Sequence, residues 1–120
     1  MLRELVEFAY VNGISSFTRL KAVKYRDMRR KHPDLPSHYV YTACQDASAR
    51  VKSFLAMKRR GRAHTERPAV RRVSIWLDDH LWKLEGYTAV RVATKRGWVT
   101  IGLKTHELLA LRQRRVEIEV

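Results

Sequence analysis

The sequence predicts an α+β fold: an N-terminal bundle of about three helices followed by a small antiparallel β-barrel or curled sheet. Three observations carry that prediction. Apolar residues recur with a helical period up to about residue 58, and from Arg71 the period changes to two. Between the two regimes lies a basic, glycine- and proline-punctuated stretch, so the chain divides into a helical lobe at 1–60, a linker at 61–70 and a β-rich lobe at 71–120.

Each element follows in order. Leu2, Leu5, Val6 and Ala9 mark one face of a first helix, which Asn12-Gly13 ends because glycine adopts the left-handed conformation beyond a helix C-terminus. Ser15 or Ser16 can cap a second helix, striped by Phe17, Leu20, Met28 and partly Tyr25. It stops at His32-Pro33, since the residue before a proline is pushed out of the helical region. Ser37 is the candidate N-cap of a third helix, in which Val40, Ala43, Cys44, Ala47, Val51 and Leu55 keep a helical period until Gly61. Its exposed side should then include Gln45, Arg50, Lys52 and Lys58.

In the second half, Val73, Ile75 and Leu77 alternate with Arg72, Ser74 and Trp76, and Asp78-Asp79-His80 breaks the run. A second run covers residues 81–86. Thr88–Thr94 reads as a strand, joined to Trp98–Leu103 by a Lys95-Arg96-Gly97 turn with glycine at positive φ. Thr105–Arg115 has helical composition, and Val116, Ile118 and Val120 alternate again.

The charge is lopsided. In 120 residues, 25 Lys and Arg face 12 Asp and Glu, a net +13 with a pI near 10.6. Residues 1–70 carry net +9 and residues 71–120 net +4. The positives gather at Arg26, Arg29, Arg30 and Lys31, and again at Lys58, Arg59, Arg60, Arg62 and Arg67. A single such run is often only a solvated face. Two runs and a global excess favour a polyanion as partner, bound in a salt-dependent way. A membrane surface is the rival polyanion, but no segment pairs a wide Leu/Phe/Trp face with a Lys-rich one, and no apolar run reaches the ~20 residues of a membrane span. The first ten residues carry two Glu and no long apolar stretch, which excludes a signal peptide. Together with the lone Cys44, this points to the cytoplasm.

Catalytic patterns are missing. Asp78-Asp79 would face opposite sides of a strand and suits a turn better than a metal pair. Asp27, Asp34 and Asp46 sit among basic helical residues, as charge balance or caps. His32, His38, His64, His80 and His106 show no ligand-like spacing, and one cysteine cannot build a multi-cysteine zinc site. No phosphate-binding loop and no nucleophile elbow occurs. Cys44 lies on an apolar helical face as a structural thiol. No catalytic residue, metal, cofactor or small-molecule substrate is expected. Trp76, Trp82 and Trp98 all fall in the β half, where such rings either pack the sheet or stack on nucleic-acid bases.

The stretch Leu35-Pro36-Ser37-His38-Tyr39-Val40, continued by Ala43, Asp46-Ala47 and the basic run from Lys52 to Arg62, resembles the motif LPSxYxxxAxxDA of TnpB/OrfB-type transposon-encoded RNA-guided nucleases. In that family the motif opens a helix that runs into a basic linker ending in proline, here Pro68. The preceding Phe17, Leu20 and Tyr25–His32 are similar to the family's upstream, helix-turn-helix-like segment. Val73–Asp78, Leu84-Glu85-Gly86 and Val90–Leu103 follow the order of its strand pattern. The match spans roughly residues 14–103.

The resemblance implies a recognition lobe beside a wedge-like β lobe, gripping guide RNA or its duplex with target. It also implies that the family's opening strand, RuvC-like nuclease domain and zinc ribbon are absent, and that a separate nuclease-domain polypeptide is a further partner. The expected function is therefore non-catalytic binding of RNA or DNA backbone. The candidate contacts are Arg19, Lys24, Arg26, Arg29, Arg30, Lys31, Arg50, Lys52, Lys58, Arg59, Arg60 and Arg62. The alternatives are a DNA-binding repressor and an interaction module that docks on an acidic partner, with helix 37–58 as its contact surface.

Overall fold

The apolar stripes of the first half become three helices: α1 (Leu2–Val11), α2 (Phe17–Lys31) and α3 (Ser37–Arg59). The computed structural model describes residues 1–86, 89–102 and 116–119. The expected helix over 105–115 lies outside the described residues.

α1 ends in a Schellman cap. Gly13, at φ +66°, donates to Tyr10 O and Ile14 donates to Ala9 O at 2.8 Å, which tucks Ile14 into the core. Ser16 caps α2, its hydroxyl accepting from the Arg19 N–H at 3.5 Å. The N-cap of α3 differs from expectation: Pro36 occupies it, Ser37 is the first helical residue, and no side chain bonds the free N–H groups there. Proline presets the backbone for helix entry without a hydroxyl cap.

Direction follows from contacts. Lys31 pairs with Glu4, and the Lys24 ammonium sits 4.6 Å from the Phe8 ring centroid, so α2 runs antiparallel to α1. Tyr10 meets Phe54 edge-on with ring centroids 5.6 Å apart, which brings the C-terminal ends of α1 and α3 together. The five-residue connection 32–36 folds α3 back on α2. Leu5, Leu20, Met28, Val40, Cys44 and Val51, all without solvent exposure, centre the core among them.

The strands are β1 (Ser74–Leu77), β2 (Trp82–Glu85), β3 (Ala89–Thr94), β4 (Gly97–Gly102) and β5 (Val116–Glu119). They form two antiparallel sheets: β1 with β5, and β2-β3-β4 in that order. Among the described residues the strands do not close into a barrel, so the lobe is an open, curled arrangement. Asp78–Leu81 is a turn, as the sequence suggests, with the Leu81 N–H donating to Asp78 O at 2.9 Å. Lys95-Arg96 joins β3 to β4, and Gly97 takes φ +101°. Register puts Trp82, Leu84, Val90, Val92, Val99 and Ile101 on one face of the three-stranded sheet, and Lys83, Arg91 and Trp98 on the other. Leu77, Leu81, Val90, Val92 and Ala93 make a second core, against which Tyr39 of α3 also packs.

The connection 61–70 has neither helix nor strand, as expected of a linker, yet it is tied down. Tyr10 donates to Glu66 O at 3.0 Å, and Val70 packs on the helical core.

Leu20→Ala should lower stability by about 2–5 kcal/mol, because a fully buried leucine leaves a cavity. Val23→Ala, at a position 53 % exposed, should change it by less than about 0.5 kcal/mol. Chemical denaturation of the two variants checks the assignment of the α2 core face.

Candidate nucleic-acid interface

Basic residues gather where helices end, and the backbone explains part of this: a helix C-terminus carries partial negative charge that favours cations. Arg29, Arg30 and Lys31 lie in the last turn of α2, and Lys58 and Arg59 in the last turn of α3. Because α2 and α3 run in opposite directions, the two groups sit at opposite ends of the bundle. The 23 residues of α3 separate them by roughly 30 Å. The two basic runs of the sequence therefore form two separate patches.

Several are engaged within the fold. Lys24 is only 14 % exposed at its side chain, pairs with Asp27 at 3.0 Å and lies over Phe8. Arg29 donates to Leu35 O at 2.6 Å and so holds the α2–α3 connection. Lys31 bonds Glu4 and lies 3.5 Å from Asp27, while Arg30, 80 % exposed, reaches Asp27 at 3.6 Å. Arg50 donates through Nε to Asp46 Oδ1 at 2.8 Å and through Nη2 to Arg72 O and Ser74 Oγ, each at 3.4 Å. It joins α3 to the start of β1, and its partner Asp46 is buried.

The others point outward. Arg19, Arg26, Lys52, Arg59, Arg60 and Arg62 are exposed, and no carboxylate among the described residues pairs with them. Arg59, Arg60 and Arg62 surround a second Schellman cap. Gly61, at φ +70°, donates to Lys58 O at 3.1 Å, and Arg62 donates to Met57 O at 2.9 Å. Lys58 donates to the Tyr10 hydroxyl at 3.2 Å. The fold thus holds this backbone in one conformation and leaves three guanidinium groups free to meet an anion.

The sheet contributes a surface not singled out from the charge pattern. The Trp98 ring is 42 % exposed and lies between the Lys83 ammonium, 5.4 Å from its centroid, and the Arg91 guanidinium, 5.5 Å away. Trp76 and Trp82 are half-buried. Only cross-strand register brings Lys83 and Arg91 beside Trp98. Their spacing in the sequence does not reveal it.

One further group escapes a search by local spacing. His38, in the first turn of α3, is hydrogen-bonded through Nδ1 to Asp78 Oδ2, which accepts at 2.8 Å. The ring of His80 stacks on that of His38 with centroids 3.9 Å apart. The donor atoms of His38, Asp78 and His80 all lie within 4.8 Å of one another, the one such trio among the described residues. Forty residues separate His38 from Asp78, so a motif search has nothing to match. Cys44 is buried, and burial pushes its thiol up to about 11, consistent with a structural residue.

Removing Arg50 should be costly. Arg50→Ala removes a charged hydrogen bond from the buried Asp46 carboxylate and the tie to the start of β1, and a loss of about 1–3 kcal/mol is expected in denaturant unfolding. The Glu4–Lys31–Asp27 cluster predicts a pH response. The Lys31 hydrogen bond holds the Glu4 carboxyl below its ordinary 4.5, and the Lys24 hydrogen bond holds Asp27 below its ordinary 3.8. Both titrate lower folded than unfolded. Their contribution is therefore present above the ordinary values and is lost as pH falls through the lowered ones. Thermal melts should drop across that acid range, and less steeply in a Glu4→Gln/Asp27→Asn double variant.

Comparison with known proteins covers most of the chain. A protein from Methanocaldococcus jannaschii, the uncharacterized protein MJ0857, is 34 % identical over 119 aligned residues, covering 85 % of this chain and 43 % of that protein. The chain thus spans less than half the length of this curated relative. No solved structure matches the chain. The profile of the family described as "Uncharacterized protein MJ0013 family" matches residues 1–93, from α1 to the penultimate residue of β3, and the chain belongs to that family.

Proposed function

We propose that this chain is a non-catalytic nucleic-acid-binding module that grips phosphate backbone, with RNA favoured over DNA. The observation that carries the reading is the cap of α3, where Arg59, Arg60 and Arg62 are exposed, without carboxylate partners among the described residues, and held on a hydrogen-bonded backbone. Guanidinium groups bind phosphate in a fork geometry, and each phosphate neutralised releases counterions. The overall charge of +13 supplies the long-range attraction. Trp98, flanked by Lys83 and Arg91, supports a second contact, in which a flat ring stacks on an unpaired base while the cations meet the neighbouring phosphates. That pairing of ring and charge suits single-stranded or looped RNA better than a duplex whose bases are already stacked.

The rest of the reading follows from the motif order. The kinship to TnpB-type transposon proteins, a transposon context and a separate nuclease polypeptide as partner all rest on the succession of Leu35–Ala47, the basic run to Pro68 and the strand pattern after Val73. For localisation, no helix among the described residues is long and apolar enough to cross a membrane. The buried free thiol of Cys44 supports a cytoplasmic setting. Docking on an acidic protein through helix 37–58 is the weaker reading, because Val40, Thr42, Cys44, Asp46, Ala47, Ser48 and Val51 of α3 are buried.

Binding to a labelled RNA hairpin, a single strand and duplex DNA should be measured across a salt series. Arg59→Gln/Arg60→Gln/Arg62→Gln should weaken RNA binding and reduce the slope of log K against log salt by about 2–3. Trp98→Ala should weaken the single strand by more than the duplex. Absence of salt-dependent affinity for all three ligands in the intact chain would overturn the proposal.

A further inference from the structure

We propose that His38, Asp78 and His80 form a binding site for a divalent transition-metal ion that clamps the helical lobe to the β lobe. Two imidazoles and a carboxylate are donors for borderline ions such as Zn²⁺, Ni²⁺ or Co²⁺ rather than for Mg²⁺ or Ca²⁺, which take oxygen ligands. The three come from two places in the fold: His38 from the first turn of α3, Asp78 and His80 from the β1–β2 turn. Their donor atoms lie within 4.8 Å of one another.

The spacing suits chelation. Two ligand atoms each about 2.1 Å from one tetrahedral ion stand roughly 3.4 Å apart. His38 Nδ1 and Asp78 Oδ2 are 2.8 Å apart. His80 Nδ1 is 3.8 Å from Asp78 Oδ1, close enough to complete the set.

The supports are built in. The His80 backbone N–H donates to Asp78 Oδ1 at 2.9 Å and the Leu81 N–H to Asp78 O at 2.9 Å, so the turn holds the Asp78 carboxylate against the His80 backbone. Tyr39, next to His38, donates to Ala93 O of β3, which anchors the start of α3 against the sheet. Two movements are required: the direct His38–Asp78 hydrogen bond opens by roughly half an ångström to admit the ion, and His80 reorients. Imidazole ligates within its ring plane, and the rings of His38 and His80 are stacked with planes 14° apart. His80 therefore swings out of the stack to reach the ion. At 68 % side-chain exposure it is free to do so. Three protein ligands leave at least one coordination position for water or an external oxygen.

The test is a Zn²⁺ titration of the full chain by calorimetry at neutral pH, with thermal melts alongside and Ni²⁺ as a second probe. The expected result is one equivalent of Zn²⁺ and a raised Tm. His80→Ala and His38→Gln should each weaken Zn²⁺ by at least about tenfold. His32→Ala and His64→Ala should leave it unchanged. His80→Ala lies on an exposed turn, so it reads the site even if His38→Gln disturbs folding; circular dichroism distinguishes the two cases. Overturning results are an absence of saturable binding, binding of several ions spread over all histidines, or full retention of affinity in His80→Ala.

Discussion

Through residue 51, one helix in this protein has hardly any free side, and the rest of the structure is arranged around that constraint. α3 packs its apolar face, Val40, Cys44, Ala47 and Val51, against α1 and α2. A second face, with Thr42 and Asp46 also buried, meets β1, and Ser48 is buried beside the first face. Burying polar groups is costly unless each finds a partner. The fold supplies them: Thr42 donates to Tyr39 O, Ser48 to Gln45 O, and Asp46 accepts from Arg50. Arg50 then extends to Arg72 and Ser74, and Tyr39 to Ala93. The two cores touch through these groups, so the junction between lobes is polar while each lobe's interior is apolar.

The same economy sorts the charges. Helix C-termini attract cations whatever else they do, and several basic residues are consumed by the fold. Arg29 holds the α2–α3 connection, Lys24 and Lys31 tie α2 to α1 or to Asp27, and Arg50 spans the junction. The outward-facing remainder is what a polyanion would meet. It is concentrated where α3 runs into its glycine cap, with a smaller outward set along α2. The clusters are equally dense in sequence, but only one keeps most of its guanidinium groups unpaired among the described residues.

The histidine pair shows a different limit. His38 lies beside a serine and a tyrosine in a motif that reads as a helix start, and His80 ends a turn signal. The Asp78-Asp79 beside His80 reads as part of that turn and His38 shows no ligand-like spacing, so neither looks chemically special. Their meeting depends on how α3 is seated on the β1–β2 turn, which is a property of the junction. Trp98 is the same kind of case, since its cationic flanks come from other strands by register.

By itself the sequence determined the elements and their ends. Hydrophobic period is a local property, so α1 to α3 and the runs that become β1 to β4 are legible, as are Gly13 and Gly97 as positions needing positive φ and Gly61 as the end of α3. The N-cap of α3 falls on Pro36 rather than on Ser37: a serine at a helix start normally accepts a backbone N–H through its hydroxyl oxygen, whereas Pro36 enters the helix by its fixed backbone angle. The tertiary structure alone decided which side chains are spent and which are free. Arg50 and Arg59 look alike in the chain, and their fates differ because Asp46 shares a turn with one and no carboxylate among the described residues pairs with the other. It also decided that α3 is a shared wall rather than an exposed surface, because its second buried face is small and polar and leaves no apolar period to read.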